Sequence, residues 1–136
     1  MKILPAADAL TAPYWAAARE RQLVIQRCEC GRLAHPPVAS CPRCHGSHFT
    51  WSQMSGRGSV YAFTVVHHSV HPVTAGAIPY VLVLVELDEG PRILANLRHY
   101  DPENLRVGLP VQAIFEELDD AVTLPQFAPA TTEEVA

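Results

Sequence analysis

Lysine is almost missing from this sequence: Lys2 stands alone against nine arginines. Long apolar runs are missing too. No stretch approaches the roughly 18 uninterrupted apolar residues of a membrane-spanning helix. The N-terminus lacks a charged segment running into an apolar core and a cleavage site. These absences predict a soluble, unprocessed, cytoplasmic chain with no membrane role. No serine or cysteine stands beside a matched base, so nothing argues for a self-sufficient enzyme or for catalytic residues of its own. What remains is a chain of 136 residues, 49% apolar, enough for one core and a small appendage and too apolar to be disordered except at its ends.

All four cysteines fall between Cys28 and Cys44, as two close pairs beside glycine or proline: Cys28-Glu29-Cys30-Gly31, then Cys41-Pro42-Arg43-Cys44. Two thiol-bearing turns joined by a short loop suit a tetrahedral zinc bound by Cys28, Cys30, Cys41 and Cys44. Without a secretory signal, metal is a better reading than disulfides. The second pair has C-x-x-C spacing, whereas the first is one residue shorter. An extended residue between two cysteines turns their side chains to opposite faces. Three alternatives stay open: the backbone bulges, a histidine (His35, His45 or His48) takes one position, or the metal is lost. Cys41-Pro42-Arg43-Cys44 also resembles a dithiol redox motif, but that needs a helix immediately afterwards to lower the thiol pKa. His45-Gly46-Ser47 and a strand follow instead.

Around this stretch the pattern is mainly β. Thr11 reads as the N-cap of a short helix to Arg21, with Pro13 in its first turn and Tyr14, Trp15 and Ala18 on one face. Trp15 packs on the chain's own β domain or docks on a partner. Gln22–Arg27 and Phe49–Met54 read as strands on either side of the cysteine turns, a rubredoxin-like zinc ribbon with almost no apolar core of its own. Ser59–His67, Tyr80–Leu87, Arg92–Leu97, Val111–Leu118 and Ala121–Leu124 then read as five strands with short connections, a small closed barrel of the OB type. The expected organisation is a lead-in over 1–21, the ribbon over 22–54, the barrel over 55–127 and a flexible tail over 128–136, loosely held from Pro125.

Gly56-Arg57-Gly58 is either a hinge between ribbon and barrel or a place where backbone approaches a ligand and Arg57 holds a phosphate. His67, His68 and His71 follow a strand, not a helix, and no acidic residue flanks them; exposed imidazoles are expected. Residues 1–58 carry seven basic and three acidic side chains, giving +4; residues 59–136 carry three and eleven, giving −8. An OB barrel that binds single-stranded nucleic acid needs a basic groove with stacking aromatics. This barrel is acidic, and its Tyr61, Phe63 and Tyr80 are mixed with valine on strands expected to be core, so nucleic acid is the weaker alternative.

Tyr14-Trp15, Gln26-Arg27-Cys28, Pro36-Pro37, Cys41-Pro-x-Cys44, Trp51, Ser55-Gly56-Arg57-Gly58-Ser59-Val60-Tyr61, Pro79-Tyr80 and Val85-Glu86-Leu87-Asp88-Glu89-Gly90-Pro91 come in an order shared with a known family. The chain resembles, over residues 11 to about 127, the zinc-ribbon/OB-fold family of acyl-CoA-associated proteins long carried as a domain of unknown function. It departs at the first cysteine pair, where the family has C-x-x-C-G. The resemblance implies a non-catalytic accessory subunit in a hetero-oligomer with a thiolase-superfamily enzyme: an acyltransferase, a synthase or a steroid side-chain aldolase. It also implies a structural zinc, and a share in the partner's CoA or acyl-CoA site, for which Gly56, Arg57 and Gly58 are the candidates; a stand-alone acyl-CoA-binding module, with the basic ribbon and Arg57 meeting the nucleotide phosphates, is the other alternative.

Overall fold

The structure, a computed structural model of the chain, describes residues 4–68, 72, 76 and 78–130. One helix, α1 (Ala12–Arg19), precedes eight strands: β1 (Val24–Cys28), β2 (Leu33–Ala34), β3 (Phe49–Gln53), β4 (Arg57–Val66), β5 (Tyr80–Leu87), β6 (Arg92–Leu97), β7 (Pro110–Glu117) and β8 (Thr123–Pro129). The first three form an antiparallel sheet in the order β2-β1-β3, and the other five close into a barrel in the order β4-β5-β6-β8-β7. The mainly β class, the short helix and the five-stranded OB-type barrel are as expected.

α1 starts and stops by local chemistry. Thr11 does not cap it with its side chain, contrary to expectation. Its hydroxyl instead donates to Asp8 Oδ1 at 3.0 Å and its amide to the same oxygen at 2.8 Å, making a tight turn ahead of the helix. At the other end Arg21 adopts a left-handed φ of 59°, and Gln22 and Arg21 donate to the carbonyls of Ala17 and Ala18. That is a Schellman closure with arginine where glycine is usual. The Arg21 side chain turns the irregularity to use, reaching Phe115 O at 3.3 Å and Glu117 Oε1 at 3.2 Å on β7.

The ribbon does not bury its apolar residues within itself. Leu23 and Ile25 from the approach to β1 and from β1, and Met54 after β3, join one core with Tyr14 of α1 and the barrel interior, including Val60, Val85, Leu97, Val111 and Phe127. β5 shows how the barrel is lined: Val81, Val83, Val85 and Leu87 point in, and the residues between them are half-exposed. Gly58 lets β4 approach β5, since a Cβ there would run into the Glu86 carbonyl and Val85 Cγ1.

Two expectations are corrected. The chain from Pro125 is not a loose tail: Thr123–Pro129 is a strand whose Pro125, Gln126, Phe127 and Ala128 are buried, pairing with β7 over its whole length. Its prolines concealed it, but the barrel needs this strand to close against β6, where Leu97 pairs with Phe127. Residues 131–136 of the expected tail lie outside the described residues, as does His71. The second correction concerns Tyr61 and Phe63, which are exposed and not core. An irregularity between Val60 and Ala62 breaks the β4–β5 register there, and β4 has left the closed part of the barrel.

Phe127 is fully buried at the β6–β8–β7 junction. Phe127→Ala is expected to destabilise the protein by about 3–5 kcal/mol, read by urea denaturation; a loss below about 1 kcal/mol would show that the last strand is not part of the packed barrel.

Candidate metal centre

The first cysteine turn solves the short-spacing problem by not being extended. Cys28 is the last residue of β1, and its carbonyl accepts the Gly31 amide at 2.8 Å while its own amide donates to Arg32 O at 2.8 Å. Gly31 supplies the positive φ of 95° that such a turn requires. Glu29 is pinned from outside, donating its amide to His48 O at 3.1 Å. With the backbone curled, Cys28 and Cys30 no longer point apart. The second turn is closed by Cys41 N to Gly46 O and His45 N to Cys41 O, both 2.8 Å, with His45 at φ 63°. Amides of Arg43 and Gly46 approach Cys41 Sγ and Cys44 Sγ at 3.4 Å.

The two turns face each other. Sγ of Cys28 is 3.4 Å from that of Cys44, Sγ of Cys30 is 3.8 Å from that of Cys41, and all four lie within 4.8 Å of one another. A regular tetrahedron with zinc–sulfur bonds of about 2.3 Å has edges of about 3.8 Å, so the spacing fits zinc. No histidine enters this set among the described residues, and the curled backbone at Cys28–Gly31 brings the short pair's two sulfurs into it. The loop between the turns is fastened by Gln26, buried on β1, which donates Nε2 to Val38 O at 2.9 Å and accepts Val38 N at 2.8 Å.

The sulfurs are electrostatically unequal. Amides of Cys44 and Arg43 pull the Cys41 thiol down to about 6, against the opposing effect of burial. At Cys28 the Cys30 amide also lowers the pKa, but burial and the neighbouring thiols outweigh it and push Cys28 up to about 12. Four thiols so close cannot all ionise while they face only one another. A divalent cation removes that conflict and deprotonates them. Cys28, Cys30, Cys41 and Cys44 would hold it, and a zinc with four protein ligands supplies folding free energy and no open position for a reacting water. The redox alternative is not supported, because Cys44 leads into His45, Gly46 and β3 and not into a helix.

The other candidates are scattered. Arg57 opens β4 exposed, its amide on Ser55 Oγ at 3.1 Å. Its flanking glycines serve packing: Gly56 (φ 82°) lies against Gln112 and Ala113, and Gly58 against β5. Trp15 packs partly buried against the core and edge-on to Tyr14, ring centroids 5.1 Å apart. His67 and His68 are exposed beyond β4. Two surface cavities went unseen in the sequence. One of about 610 Å³ lies between the ribbon, at Arg32 and Pro42, and the β5–β6 turn, at Glu89 and Arg92. The other, about 410 Å³, is walled by Tyr14, Trp15, Pro36, Leu94 and Pro125. His35 borders both, stacked near Tyr14 with its Nδ1 buried and without a hydrogen-bond partner among the described residues.

A rubredoxin-like ribbon followed by a five-stranded closed barrel defines the class as a zinc-ribbon/OB-fold protein. Family models agree segment by segment: residues 15–50 match the ChsH2 rubredoxin-like zinc ribbon domain and residues 51–116 the ChsH2 C-terminal OB-fold domain. The chain is 34% identical over 122 residues to a DUF35 domain-containing scaffold protein of Methanocaldococcus jannaschii, covering 85% of this chain and 86% of that one. It is 42% identical over 131 residues to a probable enoyl-CoA hydratase alpha subunit of Thermomonospora curvata, covering 96% of this chain but 40% of the relative, so it spans about two fifths of that protein's length. A solved structure of an Ltp2-ChsH2(DUF35) aldolase superposes with a TM-score of 0.84 at 41% identity, over 94% of this chain and all of that one. The chain belongs to the ChsH2/DUF35 family.

Purified protein is expected to carry about one zinc per chain, with Cys41→Ser or a strong chelator removing it and unfolding the ribbon, whose stability draws on the order of 10 kcal/mol from the metal. Elemental analysis with near-ultraviolet circular dichroism checks this; a metal-free chain of unchanged stability contradicts it. His35 gives a separate pH dependence. Burial lowers its pKa below the ordinary histidine value of 6.5, so the unfolded chain takes up a proton that the folded chain refuses. Its contribution is complete above about pH 6.5 and declines as pH falls below it. Denaturation from pH 8 to 5 is expected to show a shallower decline for His35→Gln than for the parent, and parallel curves would exclude the effect.

Proposed function

We propose that this chain is a non-catalytic accessory subunit of a thiolase-superfamily enzyme, such as an acyltransferase, synthase or side-chain aldolase, and that it helps form that enzyme's acyl-CoA site. The observation that carries the reading is the likeness, at 41% identity over the whole of the matched chain, to the ChsH2(DUF35) component of an Ltp2-ChsH2 aldolase. The scaffold name of an archaeal relative and the hydratase alpha-subunit name of a bacterial one point the same way. The chain's own chemistry supports it. Its cysteines form a closed four-sulfur set, and the described histidines make no base–nucleophile pair with them. No helix of the described residues is long and apolar enough to cross a membrane.

The basic ribbon suits the CoA end of the ligand. Arg57 is exposed, and Arg32 lines the larger cavity, so the nucleotide phosphates would meet arginines on this side while the partner carries the reacting group. Arg92, on the same cavity, is already engaged with Glu86 at 3.1 Å and over the Tyr61 ring at 3.7 Å, which leaves the isolated chain a weak CoA binder. The complex is therefore the expected binding species.

Affinity purification of the tagged chain from its native organism, followed by mass spectrometry, is expected to return a thiolase-superfamily subunit in stoichiometric amount. Calorimetry on that complex is expected to show CoA binding that Arg57→Ala weakens by about tenfold or less, as loss of one exposed phosphate contact implies. A chain that purifies alone, and whose addition changes nothing in such an enzyme, would sink the reading.

A further inference from the structure

The barrel closes through only the first few residues of β4. Arg57, Gly58 and Ser59 pair with β7. Val60 then donates to Leu109 O at 3.0 Å and accepts from Gly108 N at 2.8 Å. From Tyr61 to Val66 the strand has a paired neighbour on one side only among the described residues, namely β5. Tyr61 is the extra residue of a bulge, the usual device by which a strand bends out of a sheet.

Exposure across the ladder locates the open side. Phe63 is paired with Val83 and Val65 with Val81, so each pair shares a face. Yet Val83 and Val81 are each 1% exposed, while Phe63 and Val65 are 37% and 36% exposed and Tyr61 47%. The β5 row is covered and the β4 row beside it is not, which is the signature of an uncovered edge. Soluble proteins blunt such edges with lysine, proline or an inward charge, because the unpaired amides and carbonyls template strand addition. Gly58–Val66, GSVYAFTVV, has no charged residue and no proline.

The edge defines its occupant. Unpaired backbone groups in extended register call for another extended backbone. Phe63 and Val65 on one face call for apolar side chains opposite them, and Ala62 and Thr64 on the other accept small or β-branched ones. Arg92 lies over the Tyr61 ring at 3.7 Å and is itself paired with Glu86. A second copy of the chain is disfavoured, since edge-to-edge pairing would bring together two segments each at −8 over residues 59–136.

We propose that Tyr61–Val66 is a docking edge on which an uncharged, apolar extended segment of the partner enzyme adds as a strand. The proposal rests on the accessory-subunit reading above and supplies its mode of attachment. The test uses the thiolase-superfamily subunit recovered with the tagged chain, reconstituted with the purified full chain. Hydrogen exchange at the outward-facing amides of 61–66 is expected to slow at least about tenfold in the complex. Phe63→Lys and Val65→Lys are each expected to weaken binding by about tenfold or more. Leu10→Lys, at a site of equal 37% exposure, leaves binding unchanged. Zinc content and melting temperature identical to the parent show that the variants fold. If the complex forms but these amides exchange as in the free chain and both lysine variants bind normally, the edge is not used and the proposal falls while the accessory reading stands. If the parent forms no complex, the accessory reading itself fails. A chain that dimerises alone and protects the same amides pairs with itself, which also overturns the proposal.

Discussion

Four sulfur atoms within 4.8 Å of one another hold the two cysteine turns face to face, and the ribbon's geometry depends on that gathering. The turns share no apolar core that would bring them together. Apart from Glu29 N to His48 O and the β1–β3 ladder beneath them, their backbone hydrogen bonds are local, each closing its own loop. Neighbouring amides pull the Cys41 thiol down to about 6, while at Cys28 the Cys30 amide is outweighed by burial and the adjoining thiols, which push it up to about 12, so the four sulfurs of the cluster do not share one charge state. A tetrahedral cation satisfies it, and the chain needs no other chemistry there.

The metal end and the barrel are nonetheless one body. Leu23, Ile25 and Met54 leave the ribbon and enter the barrel's core, with Tyr14 of α1 closing over them. Arg21 ties the helix to β7 from the other side. The ribbon is therefore packed onto the barrel through a shared core, and it sets a basic surface beside an acidic barrel. Such a part is suited to positioning a partner's elements.

Much of this was legible from local patterns. β5 and β6 alternate plainly around Asp88-Glu89-Gly90, and the cysteine spacing points to a four-sulfur cluster even with one residue missing. The rest was hidden because it depends on non-local geometry. The short Cys28-Glu29-Cys30 pair reads as a defect until Gly31 is seen at positive φ and the turn is seen to curl. β8 contains Pro125 and Pro129 and looks like a tail, but its Phe127 fills the barrel. Tyr61 and Phe63 look like core on an apolar strand, and only the three-residue pairing with β7 shows that they lack a strand neighbour on that side among the described residues. The glycines around Arg57 are packed closely against β5 and β7, a close approach that the sequence does not show.

A barrel joined to a four-cysteine ribbon with a basic surface, with no nucleophile–base pair and an exposed β4 edge among its described residues, fits the proposed role of completing a partner enzyme. The most direct test is a reconstitution assay with the co-purifying thiolase-superfamily enzyme and its acyl-CoA substrate, run with each component alone and with both together. The account predicts no turnover by this chain alone, weak or unstable activity from the enzyme alone, and full activity only in the mixture. Turnover by this chain alone, or full and stable activity of the enzyme without it, would contradict the account.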